Sequence, residues 1–374
     1  MKKSKKSLFT IGIVLLAIVL GALVFITTSP VFGVFKLSDA DIKNYEQRAA
    51  NFYDGRFHNE TELSNAEINE KDPNKSITTG KDKYPEEDLP VIQPSFGNCP
   101  SDDVEITWYG HTTFLITMHG LSILVDPVFS DYLGLNKLLS GPRFEEIHYL
   151  EKDLPNIDIC ILTHDHFDHL DYQTIKELDD KISTYIVPLG VDYRLEKFGV
   201  NTSKIKNMAW WEENNISGLN IACTPAQHTS TRIWFDKKLT LWCSYVFYDE
   251  YHKIFLTGDS GFASHYEEIH NKYGDMDFVM TDGAQFGEEK DKHTNHMFPE
   301  ESAKAVSILG AKKAMIMHWG SFCISDWHAW DDPPYRFGLA CDKLGIDYIS
   351  PKIGQTFRLS NTQDLHERWW TKLK

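Results

Sequence analysis

Hydrophobic and polar positions divide the chain into three parts. The run LFTIGIVLLAIVLGALVFITT, Leu8–Thr28, is uncharged and mostly apolar, and long enough to cross a bilayer as a helix. Residues 37 to about 100 are polar, rich in Asn, Glu, Asp and Lys, and show no sustained period. From Asp103 short β-rich runs begin: VEITWYG, TTFLITMHG and LSILVDP are separated by Gly, His and Asp, which predicts a meander of strands. IDICILT ends in a histidine-rich loop, as a buried strand would. STYIVP, LNIACTPA, LTLWCSYVF, HKIFLTGD, DFVMTDG and KAMIMHWG read as further strands. Helical spacing appears in DYQTIKELDD, GVDYRLEKFG, SHYEEIHNKYG, PEESAKAVSILG and YRFGLACDKLG. Strands first, then strands mixed with helices, predict a layered α/β domain of two sheets with helices outside.

The expected organisation is a basic flank (1–7), a transmembrane anchor (8–28), a tether with an N-terminal arm (29–102) and a large globular domain (103–374). Lys2, Lys3, Lys5 and Lys6 precede the apolar run, so the N-terminus is expected in the cytoplasm and the domain outside the cell membrane, on a single span. A cleaved signal peptide would also start with lysines. The run exceeds the usual apolar length of one, however, and TTSPVFG offers no A-x-A site. The arm segment NFYDGRFHNE carries enough aromatics to dock on the domain.

Composition narrows the chemistry. At 42% hydrophobic residues the chain can bury a sizeable core. A net charge of −16 argues against a nucleic-acid partner, since phosphate backbones select basic surfaces. The 6 cysteines are scattered without a CxxC pair, which makes a disulfide framework or a thiolate zinc site unexpected.

The residues that remain are metal ligands. THDHFDHLD places His164, His166, Asp168 and His169 in H-x-H-x-D-H spacing, in which alternate histidines on a turning segment point to one side and can share one cation. Asp168 and His169 follow where the chain turns and can face a second. His228 in TPAQHTS, Asp259 in LTGDSG and His318 in MIMHWGS each end a predicted strand, where loops build sites in layered α/β folds. Asp126 in LVDPVFS is placed to orient a ligand histidine. Trp210 and Trp211 read as core.

H-x-H-x-D-H with a later His, Asp and His resembles the metallo-β-lactamase superfamily, over roughly residues 103–357. The resemblance implies an αββα sandwich with a two-metal site, preceded here by the transmembrane helix. By position, His164, His166 and His228 would bind a first Zn2+, Asp168, His169 and His318 a second, and Asp259 would bridge them. The same ligand types also accept iron or manganese. The blocks WYGHTTFLITMHGLSILVDPVFS, GPRF, VPLG, WWEEN, MFPEESAKA and MHWGSF look like N-acylphosphatidylethanolamine-hydrolysing phospholipase D and its bacterial relatives. That implies a membrane phospholipid substrate and a phosphodiesterase mechanism, with Asp168 or Asp259 orienting a hydroxide and His296 binding substrate or moving a proton. His111 matches a position at the site's edge, where fixing its own loop is the expected role. The charged segment 283–295 departs from the strongly aromatic mammalian-type loop. A zinc lactonase or amide hydrolase acting on a small carbonyl substrate is the alternative reading.

Overall fold

A computed structural model describes residues 2–60, 83–134, 143–145, 153–286, 295–324 and 328–373. The middle of the expected tether and residues 287–294 of the charged segment lie outside the described residues.

Strands β1 (Phe52–Tyr53) and β2 (Arg56–Phe57) form a small hairpin. The first large sheet contains β3 (Val104–Trp108), β4 (Phe114–Met118), β5 (Leu121–Val125), β6 (Ile157–Ile161), β7 (Ile182–Pro188), β8 (Ile205–Met208) and β16 (Thr356–Arg358), ordered β16-β3-β4-β5-β6-β7-β8. The second contains β9 (Glu213–Ile216), β10 (Leu219–Thr224), β11 (Ser244–Tyr248), β12 (Lys253–Leu256), β13 (Phe278–Thr281), β14 (Lys313–Ile316) and β15 (Asp347–Tyr348), ordered β15-β14-β13-β12-β11-β10-β9. Each sheet joins an antiparallel meander to a parallel half. Strands β3, β4 and β5 run antiparallel and then pair in parallel through β6 to β8.

Strand periodicity fixes the layering. On β4 to β6, Ile116, Ile123 and Ile159 face inward and share one core with Ile221, Phe247 and Phe255 of the opposite sheet. Their neighbours Leu115, Leu124 and Cys160 face the other way and pack under Ile175, Leu178 and Leu195. Those three come from the helices Tyr172–Leu178 and Val191–Phe198. Helices His265–Tyr273, Pro299–Ile308 and Asp332–Leu344 supply Ile269, Val306 and Phe337 to the second sheet. The result is the αββα arrangement.

Three differences from the sequence reading have physical causes. LTLWCSYVF becomes strand only from Ser244. Before it, the amides of Leu241 and Cys243 bond the carbonyls of Leu189 and Thr163, just past the ends of β7 and β6, at 2.8 and 3.0 Å, which ties this segment to the first sheet's loops. The edge strands β8, β9, β15 and β16 were not expected: β9 reads ENNI and buries little. The arm docks through Phe52 and Phe57 as its aromatics suggest, and the difference is a helix before them that also enters the core. Helix α2 (Asp39–Arg48) starts on a Ser38 capping box and delivers Tyr45, which packs with Phe52 and Phe57 into the main cluster.

Helix α1 (Lys2–Thr28) contains Phe9–Thr28, which is long and apolar enough to cross a membrane and buries none of its residues against the rest of the chain. A signal sequence meets the same test.

Candidate metal centre

Every predicted metal ligand lies in a loop that follows a strand, His296 lies just before the helix Pro299–Ile308, and one edge of the sandwich gathers them. The loop after β6 carries His164, His166, Asp168 and His169. Asp171 closes it by accepting the amides of Gln173 and Thr174 as the cap of the next helix. His228 follows β10, Asp259 follows β12 and His318 follows β14. Gly258 precedes Asp259 with φ +56°, and a Cβ there would stand 2.7 Å from the Cys243 carbonyl oxygen, so only glycine fits. His111, Asp126 and His318 take left-handed backbone at φ 51°, 38° and 69°, at a cost of about 1–3 kcal/mol each. Cross-sheet bonds hold two of them: the His111 amide donates to the Trp319 carbonyl at 2.8 Å, and the His318 amide to the His111 carbonyl at 2.9 Å.

The ligand atoms fall into groups whose members lie within 4.8 Å of one another. One is His164, His166, His228 and Asp259; a second is His111, Asp168, His169 and His318; a third is Asp259, Asp282, His296 and His318. Asp259 Oδ2 stands between the first two, 3.8 Å from His164 Nε2, 3.7 Å from His228 Nε2, 3.1 Å from His169 Nε2 and 3.5 Å from His318 Nε2.

Hydrogen bonding on the far side of the rings decides what this edge can hold. His228 Nδ1 meets the Asn295 carbonyl at 2.9 Å, and a carbonyl only accepts, so Nδ1 carries the proton and the Nε2 lone pair faces inward. His169 Nδ1 meets Asp126 Oδ2 at 2.8 Å, and His318 Nδ1 meets Asp282 Oδ1 at 3.2 Å. Inside, His164 Nε2 lies 2.8 Å and His228 Nε2 3.2 Å from His166 Nδ1. Among the described residues, Asp259 Oδ1 is buried with no hydrogen-bond partner, and His169 Nε2 is buried facing the Asp259 carboxylate without a well-aligned hydrogen bond. Converging nitrogen lone pairs and orphaned buried atoms beside carboxylates suit divalent cations.

Charge points the same way. Burial pulls the His169 and His318 imidazoles down. The carboxylates of Asp259 and Asp168 for the first, and of Asp259 and Asp282 for the second, outweigh it, holding His169 well above the usual range and His318 at about 10. Burial and its neighbouring imidazoles keep His164 well below the usual range and neutral. Burial works against ionisation of Asp168 and Asp259, yet the His169 charge and its neighbours hold both well below the carboxylate range. The carboxylates thus draw positive charge into the cluster, either protons on His169 and His318 or the cations that displace them.

Asp126 orients His169 and also receives the Thr163 amide and hydroxyl, at 2.8 and 2.7 Å. His296 sits at the rim, its side chain 17% exposed amid buried neighbours, with Nδ1 2.9 Å from Asp282 Oδ2. His111 corrects the sequence reading: its Nε2 reaches out of its own turn to Asp168 Oδ2 at 3.0 Å. Asp282 is a residue the sequence reading missed. It ends FVMTD as Asp126 ends LSILVD, an acidic residue closing an apolar strand, and that signature was available. Trp210 is core, its indole donating to the Trp242 carbonyl at 2.6 Å.

Buried arginines brace the histidine loop from outside. Arg194 donates through Nε and Nη2 to Asp165 Oδ2 at 3.1 and 2.9 Å, through Nη2 to Asp236 Oδ2 at 2.6 Å, and through Nη1 to the Phe32 and Gly33 carbonyls at 3.1 and 2.9 Å. Arg232 donates to the Asp165, Leu170 and Val31 carbonyls at 2.9, 2.8 and 2.7 Å.

Comparison with known proteins agrees with this architecture. Residues 122–319 match the beta-lactamase superfamily domain. The chain is 27% identical over 340 residues to an uncharacterized protein of Mycobacterium tuberculosis, across 88% of this chain and 90% of the relative. It is 30% identical over 235 residues to the mitochondrial N-acyl-phosphatidylethanolamine-hydrolyzing phospholipase D of Saccharomyces cerevisiae, across 61% of this chain and 49% of that protein. A metallo hydrolase from the archaeon Ignicoccus hospitalis shares the fold, with a TM-score of 0.53 at 17% identity over 68% of this chain and 98% of that one.

Proposed function

The chain belongs to the metallo-β-lactamase superfamily of metal-dependent hydrolases, and on that premise we propose a dinuclear zinc phosphodiesterase that cleaves a glycerophospholipid headgroup. The observation that carries the reading is Asp259 Oδ2, a member of the His164, His166 and His228 group that also stands 3.1 and 3.5 Å from His169 Nε2 and His318 Nε2 of the second group. His164, His166 and His228 would hold one ion, Asp168, His169 and His318 the other, with Asp259 between them. Two such ions supply Lewis acidity to the phosphoryl oxygens and lower the pKa of water to about 7.

The chain's own groups do the rest. Asp168, fixed by His111, and Asp259 are placed to orient the attacking water. His296 stands at the open rim with Asp282 on its Nδ1, which leaves Nε2 to meet the substrate or to protonate the departing alkoxide. A phosphodiester's negative charge suits a rim whose carboxylates are already engaged by histidines. The phospholipid class is favoured by the yeast relative and by α1, which as an uncleaved anchor would hold the domain beside its substrate at high effective concentration. In this reading the domain is extracytoplasmic.

The test is product mass spectrometry. Full-length, zinc-loaded protein in N-acylphosphatidylethanolamine vesicles should release phosphatidic acid and N-acylethanolamine, and Asp168→Asn should not. No release by protein shown to hold two ions per chain would remove this lipid as substrate.

A further inference from the structure

The turn that follows His228 carries surface features the hydrolase chemistry does not use. Its tip exposes Trp234 at 70% and Phe235 at 40%, edge to face with ring centroids 5.4 Å apart. The tip is rigid: Asp236 Oδ1 receives the amides of Arg232 and Ile233, both at 3.0 Å, while its other oxygen is held by Arg194. Lys237 and Lys238 come next. Arg56 at the hairpin turn donates to the Lys237 carbonyl, and the Phe57 amide donates to that of Lys238 at 3.0 Å. A chain of net charge −16 therefore places three cations beside two bare aromatic rings.

The place of this turn in the fold says what faces it. Arg232, two residues before Trp234, bonds the carbonyl of Val31, three residues past the end of α1. Phe32 packs edge on against Phe167 of the histidine loop at 6.1 Å. The exit of the apolar helix and the aromatic turn are thus parts of one buried network. On the reading of α1 as a span, this link sets the turn close to the point where the helix would leave the bilayer. Tryptophan rings with lysine and arginine beside them suit the interface between headgroups and acyl chains.

We propose that the Ile233–Lys238 turn is a second membrane contact, in which Trp234 and Phe235 enter the bilayer interface beside α1 while Arg56, Lys237 and Lys238 meet lipid phosphates. The two contacts hold the histidine loop at a fixed height and orientation over the lipid surface. The inference rests on reading α1 as a membrane span, and deepens the proposed function by setting how the site meets lipid.

The test uses the fluorescence of Trp234. Helix α1 contains no tryptophan, and Trp234 is the most exposed tryptophan among the described residues. Full-length protein would be reconstituted into phosphatidylcholine–phosphatidylglycerol vesicles, with and without lipids brominated near the glycerol end of the acyl chain. Brominated lipid should quench the wild-type signal and leave Trp234→Phe unaffected, and vesicle binding should shield Trp234 from acrylamide. Protein that floats with vesicles while its Trp234 stays open to acrylamide and unquenched by bromine overturns the contact. Such a turn would face water or a protein partner. Protein that fails to float overturns the membrane reading of α1, and the inference with it. Either result is independent of which lipid is hydrolysed.

Discussion

Replacing Arg194 by methionine keeps most of the side-chain volume and removes the charge. In the folded chain this guanidinium is fully buried and is the hydrogen-bond donor to the carboxylates of Asp165 and Asp236, themselves 0% and 1% exposed. Asp236 retains the amides of Arg232 and Ile233. Asp165 keeps no hydrogen bond to its carboxylate among the described residues, since its Oδ1 has no partner there and Oδ2 is held by Arg194; only the buried charge of Arg232 still faces it. Stranding one buried carboxylate in this way costs about 3–5 kcal/mol. Against a total stability of about 5–15 kcal/mol that is a large fraction. Urea denaturation of the full-length protein in detergent should therefore show a lower midpoint at unchanged slope. Because Asp165 stands between His164 and His166, zinc affinity should fall by about 10–100-fold, as for other groups that orient ligands. Arg194→Met with Asp165→Asn relieves the stranded charge and should recover about 1–2 kcal/mol of the loss. A single variant that loses less than about 1 kcal/mol, a range typical of surface changes, would refute the brace. So would a destabilised variant whose zinc affinity is unchanged, or a double variant no better than the single.

Three further outcomes follow from the same geometry. Asp282→Ala frees the Nδ1 atoms of both His318 and His296, so zinc titration should show one site weakened by about 10–100-fold with the other unchanged. Gly258→Ala drives a Cβ into the Cys243 carbonyl at a left-handed φ and should lower the thermal midpoint by more than Gly274→Ala, where the nearest atom is the Lys253 amine at 3.8 Å. Burial raises the Asp332 carboxyl from 3.8 to about 6, so folding opposes its ionisation, a cost absent below about pH 4 and full above pH 6. Asp332 also lies in the first turn of its helix, which offsets part of that cost. Asp332→Asn should therefore stabilise by about 1–2 kcal/mol at pH 7.5 and not at pH 4, and equal urea midpoint shifts at the two pH values would contradict this.

The histidine loop is legible in the sequence because four candidate ligands fall within one short turn. His228, Asp259 and His318 are legible because each closes an apolar run. Asp282 closes one as well, but its value comes from His318 and His296, which only the fold brings to it. Arg194 looks like a solvated position on an amphipathic helix, since nothing local reports that Asp165 and Asp236 await it inside. Docking of the arm is legible from the aromatics Phe52 and Phe57, whereas helix α2 is hidden by averaging, because Tyr45 is its one buried residue among polar neighbours. Edge strands such as β9 lack the alternation that a half-buried strand shows, because they bury little.

Asn59 lies ahead of both sheets, yet its side-chain oxygen accepts the His228 amide at 3.1 Å and the Trp242 indole at 2.9 Å. The peptide bond that aims one of the histidines is thus set by a residue outside the sandwich. A gene fusion or an excised domain beginning at Asp103 would carry every candidate ligand and still lose that aim. Residues 29–60 and the sandwich act as one unit: in a descendant that trades its N-terminal helix for another, the seam has to fall before Val31, whose carbonyl Arg232 already holds.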